Sequence, residues 1–395
     1  MELLEQQTKA IDKLHRLKVG ALFMEPGTGK TRTAYELVKS VKSDFILWLT
    51  PFQTKQNLLD EINKCGGLDM LEIVGIETLS SSDRKYLDLM QKVESRKTFL
   101  IVDESLKIKN WEAIRTKRIL ELSKHCQYKL VLNGTPITRN LLDVWAQFEF
   151  LSPKILNMGI AEFKNTFCEW VKITKRHNGR TSTQEFISKY HNVDYLYSLI
   201  KHYVYECDLE LTIEQQHKDI SYTLGEEEKE RYNELKTKYL DDEKLKFLNN
   251  NIFLEMTMKM QHEYCCTENK FEQLEKLLKE TDASRVIVYT KYIVSRLALQ
   301  KRFPDMQVLS YGKHSLGLNL QKYNTTVYFD KTFDYSQMTQ SKFRTYRTGQ
   351  EDNCTYYSMT GDVGLEKMIN DNIQKKQSLL DYFKKVGAEQ IKKEL

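Results

Sequence analysis

Residues 25–31 read EPGTGKT; they follow an apolar run, VGALFM, and open a helical pattern. The chain has 16 glycines and 5 prolines in 395 residues, yet two Gly and one Pro fall within four consecutive positions here, followed by Lys and Thr. Such a set can seat a phosphate chain. A helix leaves its first N–H groups unpaired and aimed at the loop before it. Pro26, Gly27, Thr28 and Gly29 would let the backbone fold around phosphate oxygens. Lys30 would reach the β- and γ-phosphates, and the Thr31 hydroxyl would hold Mg²⁺. Met24 stands where the full pattern has a small residue. The competing reading is a Gly-rich turn with an exposed Lys.

A second stretch, TFLIVDES at 98–105, puts Asp103 and Glu104 at the carboxyl end of a buried strand. Ligands of open α/β sheets bind at that end. Two adjacent carboxylates are costly to bury unpaired, and a divalent cation removes the cost. Asp103 would orient the metal, directly or through water. Glu104 would accept a proton from the attacking water. Otherwise the strand simply ends in acidic residues.

The elements that must position these groups are legible. Continuous apolar runs at 19–24, 45–50, 98–103 and 129–135 read as strands covered on both faces. The stretch 31–42 carries Ala34, Leu37, Val38 and Val41 on one helical stripe. The alternation lapses from about 153 to 215, where aromatic residues and Lys gather around an NGRTST turn at 178–183. HKDISYTL (217–224) reads as a strand and EEEKERYNELKTKYL (226–240) as a charged, solvated helix. Strands resume at 285–290, 306–311, 326–330 and 354–360. The expected fold is α/β. Two lobes with parallel sheets flanked by helices lie at 1–155 and 216–395, with a helical connecting region at 156–215 and a helical protrusion near 226–262.

The order of the motifs resembles that of superfamily II helicase-type ATPases, and within them the Swi/Snf class in its compact phage or bacterial form. LLEQQTKAI resembles the adenine-recognition segment, EPGTGKT motif I, LTPFQTKQNLLDEI motif Ia, VGIETLS Ib, DESLKIKN motif II and LNGTPITRNLLDVWAQFEFLSP motif III. RVIVYTKY resembles motif IV, SLGLNLQ motif V and QSKFRTYRTGQ motif VI. Several positions depart from the pattern: Leu106 replaces a common His, Asn133 a common Thr, and Lys313, His314 and Ser315 replace a small-Gly-Gly run. Phe343 and Tyr346 stand for Asp and His. The catalytic charges are intact.

The resemblance implies two RecA-like lobes with ATP and Mg²⁺ in the cleft between them. Gln7, Pro26, Gly27, Thr28, Gly29, Lys30, Thr31, Asp103 and Glu104 would come from the first lobe. Arg344 and Arg347, spaced i, i+3 on a helix face between Gln340 and Gln350, would come from the second as arginine fingers. Gly134, Thr135, Gly317 and Gln340 would couple the nucleotide to the track. Duplex DNA is the implied partner, with single-stranded DNA second. Thr50, Gln53, Lys55, Lys107, Lys109, Thr290, Lys291 and Asn319 are the candidate phosphate contacts, which position without reading sequence. The implied activity is that of a DNA-stimulated ATPase moving along duplex DNA. A strand-separating DNA or RNA helicase and a non-catalytic nucleic-acid-binding scaffold are the alternatives.

Composition fits without deciding. Apolar residues make up 41% and charged residues 29%; net charge is +5, from 60 basic and 55 acidic residues. That permits a nucleic-acid partner without arguing for one. No apolar stretch approaches the ~20 residues of a membrane helix. The N-terminal MELLEQQTKAIDK is too acidic and polar for a secretory signal, and without one the final KKEL is not an ER-retention signal. Seven cysteines without a CxxC suit reduced thiols in a cytoplasm, bacterial or phage-infected. His262, Cys265 and Cys266 read as a helix end with buried thiols rather than half a metal site. A monomer is expected.

Overall fold

The computed structural model describes residues 3–134, 141–177, 180–240, 250–311 and 320–374. Thr135, Gly317 and Asn319, expected to act in coupling and DNA contact, lie outside the described residues. The chain divides into two compact units, 1–210 and 211–395.

The first unit contains β1 (Val19–Met24), β2 (Phe45–Thr50), β3 (Leu71–Gly75), β4 (Thr98–Asp103) and β5 (Tyr128–Asn133). It also holds the hairpin strands β6 (Cys168–His177) and β7 (Arg180–Tyr190), then β8 (Val204–Cys207). Six of these form one parallel sheet in the order β3-β2-β4-β5-β1-β8. The apolar runs are continuous because both faces are covered. Phe23, Leu47, Leu49, Leu100, Val102 and Val131 pack into one core, and Leu22, Met24, Ile46, Trp48, Ile101 and Leu130 into the other. Alternate residues of each strand thus serve opposite layers. The helix α1 (Glu5–Leu14) and the helix α2 (Lys30–Lys39) bury Ala10, Leu14, Ala34 and Leu37 on the second face. The helix Leu142–Leu151 buries Val144, Phe148 and Leu151 on the first.

Residues 156–215, expected to be a helical connection, are built differently. Two helices, Ile160–Phe167 and Val193–Ile200, flank the antiparallel β6–β7 pair. The β-branched Val171, Ile173, Thr181 and Thr183 favour extended chain on either side of the Asn-Gly pair. β8 then returns to the main sheet and pairs with β1, Ala21 opposite Val204, so this segment completes the first unit.

The second unit contains β9 (Gln215–Tyr222), β10 (Val286–Thr290), β11 (Gln307–Ser310), β12 (Thr325–Tyr328) and β13 (Cys354–Gly361), all parallel, in the order β11-β10-β12-β13-β9. The charged helix Glu226–Leu240 is present and buries Tyr232. The core gathers Val286, Val288, Val327, Phe329, Leu274 and Met260. No described helix is long and apolar enough to cross a membrane.

All four tryptophans, Trp48, Trp111, Trp145 and Trp170, belong to the first unit, so their fluorescence reports its unfolding alone. Phe148 is fully buried and meets Phe23 edge-on at 6.3 Å. Phe148→Ala is expected to cost about 3–5 kcal/mol. The tryptophan-detected urea midpoint should fall accordingly; an unchanged midpoint contradicts this packing.

Candidate active site

The loop after β1 is shaped by two glycines in the left-handed region, Gly27 at φ 93° and Gly29 at φ 86°. Gly29 caps α2 with a left-handed backbone that L side chains rarely adopt, so its conformation calls for glycine; a Cβ there would also push aside Gln7, whose Nε2 would lie 1.9 Å away. Gln7 is itself held, its Oε1 accepting the Leu4 N–H at 2.9 Å. Gln7 Nε2 donates to Gly29 O at 3.5 Å. Thr28 is buried and its hydroxyl donates to Glu25 O at 2.7 Å. Lys30, the first residue of α2, donates from Nζ to Met24 O at 2.7 Å, which lays its ammonium back across the loop. Thr31 follows it, half-buried. The result is a concave loop at a helix N-terminus, suited to an anion.

The acidic pair sits at the same end of the sheet. Asp103 is opposite Leu132 in β5, and Leu132 is opposite Leu22 in β1, so parallel register puts the end of β4 level with Leu22, two residues before β1 ends at Met24. The Asp103 carboxylate accepts the Glu104 N–H at 2.9 Å and the Thr50 hydroxyl at 3.2 Å. Glu104 is a non-glycine residue in the left-handed region, φ 51°, a conformation that turns the chain sharply as the strand ends. Burial pushes the Asp103 carboxyl up to about 7, and the Glu104 charge adds to this. The Lys30 charge, the Glu104 N–H and the Thr50 hydroxyl oppose it. The loop lysine and the strand-end carboxylate therefore share one electrostatic environment.

Two connections escaped sequence reading. Ser105, fully buried, donates to Gln147 Oε1 at 2.5 Å and accepts from Asn133 Nδ2 at 3.4 Å, tying the acidic pair to β5 and to the helix Leu142–Leu151. Glu25 accepts the Leu209 N–H at 2.9 Å, tying the loop to the chain after β8. Neither could be read from spacing, because the partners are 42 and 184 residues apart. Gly134 has a plain reason: a Cβ there would come within 3.0 Å of Pro26 Cδ.

The candidate DNA contacts divide. Gln53 and Lys107 are exposed, and Lys55 is half-buried with its ammonium 5.6 Å from the exposed Phe52 ring. Lys107 lies 4.0 Å from Glu77 and Lys109 3.7 Å from Asp143. Thr50 and Thr290 are fully buried and present no surface to a strand. The Thr50 hydroxyl serves Asp103 and Thr54, and the Thr290 hydroxyl donates to Leu309 O at 3.4 Å. Both end a buried strand, where polar side chains turn inward to satisfy neighbours. Lys291 donates to Gln261 Oε1 at 3.0 Å, and burial pulls its ammonium down to about 8.

In the second unit, the helix Tyr335–Lys342 carries Gln340 but ends before both arginines. Arg344 and Arg347 lie half-buried in a run of turns, not on a helix face as the i, i+3 spacing suggested. The Thr345 hydroxyl bonds Lys342 O at 3.2 Å and Tyr356 OH at 3.3 Å, and such local bonds compete with helix. Phe343 and Tyr346 are buried beside the arginines. Gln350 holds the segment: its Nε2 donates to Gln321 O and Tyr323 O at 2.9 Å each, and its Oε1 accepts the Glu351 and Asp352 N–H groups at 3.1 Å.

Two parallel sheets of this kind, one carrying an anion-shaped loop and an acidic strand end, define an α/β protein with a candidate phosphate site. Residues 70–277, more than half of the chain, match the model of the SNF2-related domain, and the protein belongs to that family. It is 23% identical over 341 residues to the ISWI chromatin-remodeling complex ATPase CHR11 of Arabidopsis thaliana, covering 71% of this chain and 30% of that protein. It is 31% identical over 141 residues to the DNA repair and recombination protein RAD54B of Gallus gallus, covering 34% of this chain and 14% of that one. The chain thus spans less than a third of either relative's length. Among solved structures, the Sulfolobus solfataricus SWI2/SNF2 ATPase core in complex with dsDNA aligns over 100% of this chain and 95% of that one, at 16% identity and a TM-score of 0.44.

The loop geometry yields a direct test. Gly29→Ala should weaken binding of a fluorescent ATP analogue by at least about tenfold, since a loss of ~1.4 kcal/mol suffices for that factor. Unchanged affinity would show that the loop does not need its left-handed turn.

Proposed function

We propose that the protein is an ATP-driven motor of the Swi/Snf class that hydrolyses ATP and moves along duplex DNA. The observation that supports this most is the shared environment of Lys30, Asp103 and Glu104 in a chain of the SNF2-related family. The loop N–H groups and Lys30 bind the triphosphate, and Gln7, already seated against Gly29, faces the base. A half-buried carboxylate pushed toward protonation by desolvation and then by a like-charged neighbour fits a divalent cation, and Thr31 and Asp103 are the residues that would hold Mg²⁺. When bound, Mg²⁺ offsets negative charge on the phosphates. Glu104 takes a proton from the attacking water. Arg344 and Arg347 are assigned to stabilise the transferring phosphoryl group.

Gln53, Lys55, Lys107 and Lys109 are the side chains assigned to a DNA strand in the first unit, through phosphate contacts that carry no sequence information. Lys291 keeps a phosphate role in the second unit only where it leaves Gln261. The same proposal covers a monomer working in a bacterial or phage-infected cytoplasm.

Lys30→Ala should abolish turnover and weaken nucleotide binding. Glu104→Gln should keep ATP binding while phosphate release falls by about 10²–10⁴. Phosphate release by Glu104→Gln at the wild-type rate removes the assigned base. Displacement of a triplex-forming strand without unwinding of a forked duplex supports translocation; unwinding of the fork supports a strand-separating helicase instead.

A further inference from the structure

The turn Tyr264–Cys266 joins the helices Asn250–Glu263 and Glu268–Glu280 and places two cysteines side by side. Their sulfurs lie 3.8 Å apart. Neither residue is inside a helix. Cys265 is 2% exposed, while Cys266 is half-buried and open to a small reagent. The Cys265 S–H is within reach of His262 O at 3.2 Å and of the Cys266 sulfur; the second contact holds the Cys266 thiol down, whereas the Cys265 thiol is pushed up. Cys266 is thus the attacking sulfur and Cys265 the one behind it.

The turn is wired to the rest of the second unit. Cys265 O accepts Lys270 Nζ at 3.2 Å, and Lys270 also pairs with Asp330 at 3.0 Å, both side chains buried. The other Asp330 oxygen accepts the N–H groups of Lys291 and Tyr292 at 3.0 and 3.2 Å. One buried carboxylate therefore joins the cysteine turn to the segment after β10.

We propose that Cys265 and Cys266 form a redox-responsive dithiol, oxidised by small-molecule disulfides, whose closure loosens the Lys270–Asp330 link to Lys291 and Tyr292. The Cys266 thiolate attacks a disulfide RSSR, forming Cys266–S–SR and releasing RS⁻. The Cys265 thiol gives its proton to RS⁻ and attacks the Cys266 sulfur, and a second RS⁻ leaves. The second RS⁻ takes from solvent the proton that Cys266 gave up on becoming a thiolate, so the two thiols are oxidised, RSSR is reduced, and two RSH are formed. Adjacent Cα atoms are about 3.8 Å apart, below the ~4.4–6.8 Å usual for a disulfide, so the ring is strained and readily reopened by thiols. Closing it turns the 265–266 peptide and with it the carbonyl that Lys270 grips.

The test is to expose the reduced protein to oxidised glutathione, quench by alkylation, and follow the tryptic peptide Met260–Lys270 by mass spectrometry. The peptide should lose two hydrogens, regain them with dithiothreitol, and react at least about tenfold faster than the half-buried Cys65 and Cys207, as a sulfur with a second thiol beside it predicts. Cys265→Ser should instead accumulate a glutathione adduct on Cys266. A wild-type peptide that stays reduced, or reacts no faster than Cys65 and Cys207, overturns the proposal without recourse to a variant. Hydrogen exchange at the Lys291 and Tyr292 amides should speed up on oxidation; unchanged exchange overturns the link. Neither readout uses ATP or DNA, so the result stands apart from the motor reading.

Discussion

Asp103 sits where water is scarce, next to a residue of the same charge, and Lys30 is the positive group that opposes both effects. A lone ionised carboxylate in such a place neutralises itself by taking a proton. Keeping it charged requires a cation, and the structure brings one to it through parallel register: β4 ends level with Leu22, two residues short of the end of β1, with only β5 between the two strands. Everything else in the first unit secures that alignment. Two apolar layers fix the sheet, the left-handed Gly27 and Gly29 turn the loop back over the strand end, and the Ser105–Gln147 bond anchors the acidic pair from below.

The second unit meets the same constraint by pairing charges inside itself. Lys270 with Asp330 and Lys331 with Glu366 are both buried, and Tyr264 OH donates to Glu366 at 2.8 Å. Buried pairs of this kind add little net stability, but removing one partner leaves a costly charge behind. Their yield is definition: Asp330 receives two backbone N–H groups and a lysine, which leaves the start of the following helix one position to occupy.

Much of this was legible in the residues, for a physical reason. Strands covered on both faces read as unbroken apolar runs, so β1, β2 and β4 were visible to the residue. β3 escaped because an edge strand buries only Val74 and Gly75 fully, and β8 because four residues carry no period. The β6–β7 hairpin replaces the helix expected at 156–215 because long-range pairing, not local pattern, defines it. Loop chemistry was legible at Gly29 and Lys30, where conformation dictates residue type. It failed at Thr290 and Thr50, since a threonine at a strand end reads the same whether it faces solvent or the core. The spacing of Arg344 and Arg347 suggested a helix face, but the hydroxyl of Thr345 and the buried rings on either side decide for turns.

On the proposed function, the charges around Lys30 and Asp103 serve a hydrolysis governed by DNA. Phosphate release measured side by side with duplex DNA, single-stranded DNA, RNA and no nucleic acid tests it most directly. The account predicts turnover that duplex DNA raises several-fold above the other three conditions; turnover indifferent to nucleic acid, or none in any condition, would contradict it.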